Sequence, residues 1–319
     1  MKYFQQLPKT RYDVTGNGEF TVLTDISRNF KVREGNISNN SSYMNHIISD
    51  GERPDVTSYI LYGTANYHWT FFVINENLRK GLSEWPMSQY ELDTFISDRY
   101  NQYACLTFSP ISSVSAEVGN IAFVPFNTKY NKDLYVVPVD DNGDEVVFGG
   151  NQNPKCYVEK YDALRNQLVL RRSSLAWTGN YVVENLVQYT KFKIRMDEDS
   201  TYYDEFYAAL ADSYATIYDL EDPSDLTYEC AVDSTANKNT FNYGLYKNAP
   251  YIFYDINDDT QSLTHYEVLS SSGAYTSYGR MTYAEMEEVL NNRKRTIRVI
   301  NPLNVADFSR EYMEVVRNA

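Results

Sequence analysis

The chain has 319 residues, with 29 Lys and Arg against 43 Asp and Glu and a net charge of −14, which weighs against nucleic acid or an anionic membrane surface as the main partner. Its three cysteines (105, 156, 230) form no C-x-x-C pair and no even set for a disulfide framework, and its three histidines (His46, His68, His265) are far apart, which removes most of the usual material for zinc binding or histidine base catalysis. At about 150 residues per domain the length predicts roughly two domains, and the 30 tyrosines, against 15 phenylalanines, are the compositional feature to explain.

Residues 1–42 read as an extended N-terminal arm. Thr15-Gly16-Asn17-Gly18 and an Asn/Ser tract at 36–42 flank one short β-branched stretch at 20–26. Such a segment buries little of its own surface and orders against something else. The first eight residues hold no apolar leader core and no run of about 18 apolar residues occurs, so neither a signal peptide nor a membrane span is expected.

Residues 43–104 form the densest apolar piece. A strand over 43–48 leads into the turn Asp50-Gly51-Glu52-Arg53-Pro54, with Pro at the first turn of a helix over 54–61 that stops at Gly63. A second helix over 66–77 carries Trp69, Phe72 and Val73 on one face. Ser88-x-x-Glu91 is a capping box that opens a helix over 89–99.

Residues 105–265 are predicted to be a β-rich inserted domain. The stretch 133–148 reads as a hairpin whose Asn142-Gly143 favours a type I′ turn, and 155–172 and 174–195 continue as strands. One helix over 204–219 aligns Phe206, Leu210, Tyr214 and Ile217 in a single stripe. Around it the window 196–233 holds 12 acidic residues, no Lys or Arg, and six tyrosines (202, 203, 207, 214, 218, 228). A docking face for a basic partner and a solvated helix stand about level there.

Residues 266–319 read as a C-terminal helix-strand-helix segment. The first helix covers 282–292 with Met286, Val289 and Leu290 apolar. The basic cluster Arg293-Lys294-Arg295 and a strand over 296–300 follow, and Pro302 opens a last helix toward Val316. The fold class predicted is α+β.

The sequence offers no catalytic constellation. Asp140-Asp141-Asn142-Gly143-Asp144 has oxygen ligands at alternate positions, but its Gly is fourth rather than sixth and no Glu stands twelfth, so a hairpin turn is preferred to a calcium loop. Asp255-Ile256-Asn257-Asp258-Asp259 reads as a solvated loop. No G-x-S-x-G, phosphate loop, dinucleotide fingerprint or H-E-x-x-H occurs. Cys105 reads as an inert core thiol and His68 as a hydrogen-bonded, partly buried histidine. Carboxylate pairs are too abundant to single out a glycosidase. No enzymatic activity, catalytic residue, metal or cofactor is expected.

The run Asp50-Gly51-Glu52-Arg53-Pro54-Asp55-Val56, then Leu61-Tyr62-Gly63-Thr64, Tyr67-His68-Trp69, Asn75-Glu76-Asn77 and Glu84-Trp85-Pro86, resembles the small baseplate wedge subunit of T-even-type contractile-tailed bacteriophages. Leu23-Thr24-Asp25-Ile26-Ser27-Arg28 and Lys294-Arg295-Thr296-Ile297-Arg298-Val299-Ile300-Asn301-Pro302 resemble that family's two ends. The likeness covers about 150 residues at both termini and leaves the middle unmatched. The stretch is also similar to a LysM module of strand, helix, helix and strand, with Asp50-Gly51-Glu52 as its turn, Tyr62-Gly63 between helices and Asn75 or Asn77 trailing. Arg53-Pro54 departs from that pattern's small apolar residues.

The resemblance implies a structural, non-enzymatic protein of the virion tail baseplate, made and assembled in the host cytoplasm and repeated six-fold. It would contact other baseplate wedge proteins, neighbouring wedges and central hub or sheath-initiator proteins, with no nucleic acid and no membrane. Its motif and partner-contact residues would be Asp50, Gly51, Glu52, Arg53, Pro54, Tyr62, Gly63, Trp69, Asn77, Trp85, Pro86, Arg293, Lys294, Arg295 and Arg298. The alternative is a LysM-type module that binds peptidoglycan or chitin oligomers.

Overall fold

A computed structural model describes residues 7–24, 42–108, 129–146, 155–171, 186, 188–208, 227–230, 242–269 and 278–318. In chain order the elements are β1 (Lys9–Tyr12), β2 (Thr21–Thr24), β3 (Tyr43–Ile47), α1 (Pro54–Tyr62), α2 (Trp69–Ile74), α3 (Gln89–Tyr100) and β4 (Tyr103–Thr107). Then come β5 (Leu134–Val139), β6 (Cys156–Asp162), β7 (Gln167–Arg171), β8 (Lys191–Met196), β9 (Tyr228–Glu229), β10 (Pro250–Asp255) and β11 (Asp258–Leu263). The chain closes with α4 (His265–Leu269), β12 (Tyr278–Thr282), α5 (Tyr283–Arg295), β13 (Thr296–Ile300) and α6 (Val305–Asn318). The fold is α+β, in two compact units: residues 1–93 with 288–319, and residues 94–287.

The first unit is closed by strands from opposite ends of the chain. β3 pairs antiparallel with β13, Tyr43 opposite Ile300 and Ile47 opposite Thr296. Ile297 and Val299 of β13 pack with Ile48, Phe71, Leu78 and Trp85 in one core. Along α6, Tyr312, Met313 and Val316 pack with Trp69 and Leu7 in another. Residues 288–319 are therefore part of this unit and not a separate segment. The strand that begins at Tyr103 does not close the module: it pairs with β7, in the second unit.

Local chemistry explains the helix limits. Pro54 stands at the start of α1, and Gly63, at φ +70°, ends it by donating its N–H to Tyr59 O. A residue with a Cβ is strained at that φ. The second helix is shorter than its apolar period: α2 covers six residues between single 3₁₀ turns at Ala65–Tyr67 and Glu76–Leu78. It is buried on more than one side, with Trp69 toward α6, Phe71 toward β13 and Ile74 beside Ile300 and Val305. The Ser88 capping box is present: Glu91 Oε2 accepts from Ser88 N at 2.9 Å, and Ser88 Oγ accepts from Glu91 N at 3.3 Å.

Within the N-terminal arm, β1 and β2 pair as a hairpin with all eight strand residues exposed. Its turn is organised by Asp13, whose carboxylate accepts the N–H groups of Thr15, Gly16 and Gly18. Leu7, just before it, is buried against Trp69 and the α6 side chains.

The second unit holds an antiparallel six-stranded sheet, in order β4-β7-β6-β5-β8-β9, and a three-stranded sheet, β11-β10-β12. β8 alternates as a half-buried strand should: Phe192, Ile194 and Met196 inward, Lys191, Lys193 and Arg195 outward. β12 belongs to this unit, so the insertion runs past residue 265.

The structure bears on four further expectations. At Asn142-Gly143 only Gly143, at φ +86°, is left-handed, so the turn is not type I′; Asp140 Oδ1 organises it by accepting from Asn142 N and Asp144 N, each at 2.9 Å. Residues 256 and 257 are the solvated turn between β10 and β11, both exposed, with Asp255 opposite Asp258 in the flanking strands. In α5 the buried positions include Tyr283 and Asn291, while Leu290 is exposed. Of the acidic helix, residues 203–208 are helical with Phe206 buried, and Leu210, Tyr214 and Ile217 lie outside the described residues.

Among the described residues, more tyrosines are buried than are largely exposed. Tyr100, Tyr130, Tyr228, Tyr243, Tyr246, Tyr278, Tyr283 and Tyr312 are all buried. Tyr100, Tyr246 and Tyr283 touch one another with ring centroids 4.4 to 5.7 Å apart, a spacing at which aromatic pairs add to plain area burial.

Candidate functional site

The loop between β3 and α1 is built by its own motif. Ser49 N donates to Glu52 Oε2 at 2.9 Å and Glu52 N to Ser49 O at 3.1 Å, which folds the turn around Gly51 at φ +68°. Asp50 Oδ1 then accepts from Gln89 N at 3.0 Å and from Arg295 Nη2 at 2.7 Å. It thereby caps α3 and ties the loop to the chain entering β13. Trp85 Nε1 donates to Glu52 O at 2.7 Å, which joins the Glu84-Trp85-Pro86 motif to the same loop.

These bonds bring both motifs to one groove of about 610 Å³, lined by Gly51 to Asp55, His68, Leu82, Trp85 to Ser88 and Glu91. Arg53 stands at its edge with its side chain 77% exposed and Asp55 3.2 Å away. Leu82 is 71% exposed. His68 Nδ1 is 2.8 Å from Ala65 O, as a hydrogen-bonded histidine should be. The floor is rigid: Met87 N and O are both bound by the buried Asn291 amide, at 2.8 and 2.9 Å.

Two carboxylates of the groove, Glu52 and Glu91, are held in the charged form. Burial disfavours the charge on Glu52, but hydrogen bonds from Thr57 and Ser49 and the His46 ring 3.5 Å away outweigh it and hold the carboxyl below its ordinary value. The Ser88 N–H and hydroxyl do the same for Glu91. Such groups recognise charge and donate no proton at neutral pH. Among the described residues no cluster of three or more His, Cys, Asp or Glu is placed to hold a metal ion. Cys105, Cys156 and Cys230 are free and buried, and burial raises each thiol, Cys156 to about 12.

Next to the groove, α1 is inside out. Its small polar residues Thr57 and Ser58 are buried, Ser58 Oγ donating to Thr64 O and accepting from Tyr67 N. Val56, Tyr59 and Ile60, at i, i+3 and i+4, are 44, 65 and 63% exposed. An apolar stripe turned to solvent marks an interaction face more often than a folding error.

The other residues named from the sequence divide sharply. Tyr62 is structural, donating its hydroxyl to Ile300 O at 3.0 Å, and burial pushes its ionisation up to about 12. Trp69 is 5% exposed beneath Phe308 and Tyr312, so it offers no face to a ligand. Asn77 is exposed beside a small cleft with Arg79, Lys80 and Glu84. The trailing asparagine that matters to the fold is Asn75, which bonds Arg298.

The basic cluster is largely consumed inside the unit. Lys294 pairs with Glu84 at 3.0 Å, and that hydrogen bond holds the Glu84 carboxyl below its usual range. Arg295 pairs with Asp50, and Arg293 and Arg298 are exposed. No sequence signal pointed to Leu82 or to the outward stripe of α1.

The acidic window is also partly neutralised from within. Asp197 takes Lys155 at 2.8 Å and the Tyr157 hydroxyl at 2.6 Å, and Glu205 takes Lys129 at 2.6 Å and the Tyr130 hydroxyl at 2.7 Å. No helix among the described residues is long and apolar enough to cross a membrane. Comparison of the chain with protein-family models, curated proteins and solved structures finds no match.

Proposed function

We propose that the chain is a structural baseplate wedge protein of a contractile phage tail, which bridges adjacent wedges and central hub or sheath-initiator proteins during assembly. The observation that carries the reading is the gathering of Asp50-Gly51-Glu52-Arg53-Pro54 and Glu84-Trp85-Pro86 around one groove by the Trp85–Glu52 and Asp50–Gln89 hydrogen bonds. The outward Val56, Tyr59 and Ile60 stripe supports a protein as the occupant of this face. In this role the groove holds a neighbouring chain through Arg53, Leu82 and the exposed Glu91, and no bond is made or broken.

A LysM-type glycan-binding module is the second reading. The order β3, α1, α2 and β13, with the two strands paired antiparallel, favours it. One experiment separates the two. The full chain is sedimented with the other wedge proteins of its phage and, in parallel, with peptidoglycan. Co-sedimentation with wedge proteins alone supports the first reading. Retention on peptidoglycan alone supports the second.

A further inference from the structure

The main chain of β3 is used on one side only. Ile48 N donates to Arg295 O and Asn301 N to Ser42 O, each at 2.9 Å. With Ile47 opposite Thr296 and Tyr43 opposite Ile300, both bonds fall on even-numbered residues of this strand, so residues 42, 44, 46 and 48 turn their N–H and C=O toward β13. Tyr43, Asn45 and Ile47 turn theirs the other way. The partner strand has the matching phase: Arg298, opposite Asn45, directs its N–H and C=O away from β3 to the Asn75 amide. The outer edge of β13 is thereby covered. That of β3 is open: among the described residues it pairs with no strand but β13, and no hydrogen bond reaches the main chain of Tyr43, Asn45 or Ile47 on that side.

An open edge is ordinarily blunted by charge, by a Pro, by a bulge or by shortness. In the second unit β9 has two residues, β12 carries Arg280 and β11 opens on two aspartates. The strand Tyr43-Met44-Asn45-His46-Ile47 holds no Lys, Arg, Asp, Glu or Pro, and its register with β13 runs without a shift. Asn45 is exposed and Ile47 is 70% exposed. The strand is also self-complementary. Laid antiparallel beside a copy of itself with Asn45 opposite Asn45, it sets each Tyr43 opposite an Ile47, and the N–H and C=O of all the outward residues find partners. An aromatic residue facing a β-branched one is a favourable cross-strand pair. Charge allows the approach: residues 1–93 with 288–319 hold 15 basic and 15 acidic residues, so the whole −14 belongs to residues 94–287.

We propose that two copies of this chain associate through this edge, β3 against β3 about a two-fold axis at Asn45, to form one antiparallel sheet in the order β13-β3-β3-β13. A two-fold axis is the operator by which a single surface patch meets itself. The contact is a strip of main-chain bonds with one Tyr–Ile pair on each side of the axis, so the dimer is small in area and concentration-dependent. The inference does not depend on the baseplate assignment, since it rests on β3 and not on the groove edged by Arg53.

The test is sedimentation equilibrium of the full-length chain at about 1 to 300 μM. The mass should rise with concentration from 37.0 kDa toward twice that value. Asn45→Lys sets like charges opposite each other across the axis and should weaken association by about fivefold or more. Leu164→Lys, at a site 81% exposed in the second unit, should change it by less than about twofold. Circular dichroism confirms that each variant folds. Cysteine cross-linking under mild oxidation reads the register, since the three native cysteines are buried. Asn45→Cys should give a disulfide-linked dimer, its Cα atoms about 5.5 Å apart across the axis. Ile47→Cys should not, because the two copies of residue 47 are offset by about 13 Å along the strands. A mass of 37.0 kDa at every concentration would overturn the proposal. So would a dimer that Asn45→Lys leaves intact, an equal loss in Leu164→Lys, or equal cross-linking of the two cysteine variants.

Discussion

Asn75 and Arg298, 223 residues apart in the chain, exchange two hydrogen bonds of 2.8 Å: Asn75 Nδ2 donates to Arg298 O, and Arg298 N donates to Asn75 Oδ1. The side-chain amide thus stands where a neighbouring strand would, and Nδ2 also donates to Phe71 O at 2.8 Å, closing the end of α2. Asn75 is 7% exposed, so water does not replace these bonds. Asn75→Ala leaves the Arg298 amide and carbonyl without those partners in a mostly buried setting and should destabilise the first unit by about 2–4 kcal/mol. Urea unfolding followed by Trp fluorescence measures it, and a loss below about 0.5 kcal/mol would show that the bonds are dispensable.

Trp69 fills the space beneath Phe308 and Tyr312 of α6. Trp69→Ala should cost about 3–5 kcal/mol through the lost burial and the cavity left behind, read as a lowered unfolding midpoint.

Deleting residues 293–319 should unfold the first unit. It removes β13, with the fully buried Val299, and α6, with Val316. A truncated chain whose residues 43–93 kept native-like amide dispersion would contradict this.

His265 supplies a pH dependence to the second unit. It is 5% exposed, edge-on to Phe253 at 4.7 Å, and burial pushes its ionisation down from 6.5 to about 4, against a smaller opposing effect from Pro250 O. Above pH 6.5 the ring is neutral folded or unfolded, and its contribution is complete. Between 6.5 and about 4 the unfolded chain takes up a proton that the folded chain refuses, so stability falls with pH, by about 3 kcal/mol in all. The imidazole resonances of His265 should therefore hold their neutral positions down to about pH 5. Titration near 6.5 would contradict its burial.

Much of the local structure was legible in the sequence, because capping and turn signals act over a few residues. Ser88-x-x-Glu91, Pro54 and Gly63 set helix limits where expected. The same capping rule applied to Thr264-x-x-Glu267 and Thr282-x-x-Glu285 finds the starts of α4 and α5. What could not be read was the pairing of β3 with β13 across more than 240 residues of chain, since neither strand carries a mark of its partner. That one missing contact made the C-terminal residues look separate and Lys294 and Arg295 look free. The outward α1 stripe was not legible for a different reason: an apolar i, i+3, i+4 set ordinarily faces a core, and here Thr57 and Ser58 hold the inner face instead. The tyrosine surplus, which composition left unexplained, supplies among other things the ring half of internal cation–tyrosine contacts at Tyr135, Tyr202 and Tyr251.

The central claim is that the groove edged by Arg53 binds a neighbouring protein during assembly. Arg53 makes no side-chain cap bond to α1 and is largely exposed, so Arg53→Glu should leave the unfolding midpoint within about 0.5 kcal/mol of the wild type. The deciding measurement is the amount of Arg53→Glu chain that co-sediments with wedge proteins relative to wild type. A loss of tenfold or more with unchanged stability is the result predicted; incorporation at the wild-type level would contradict the account.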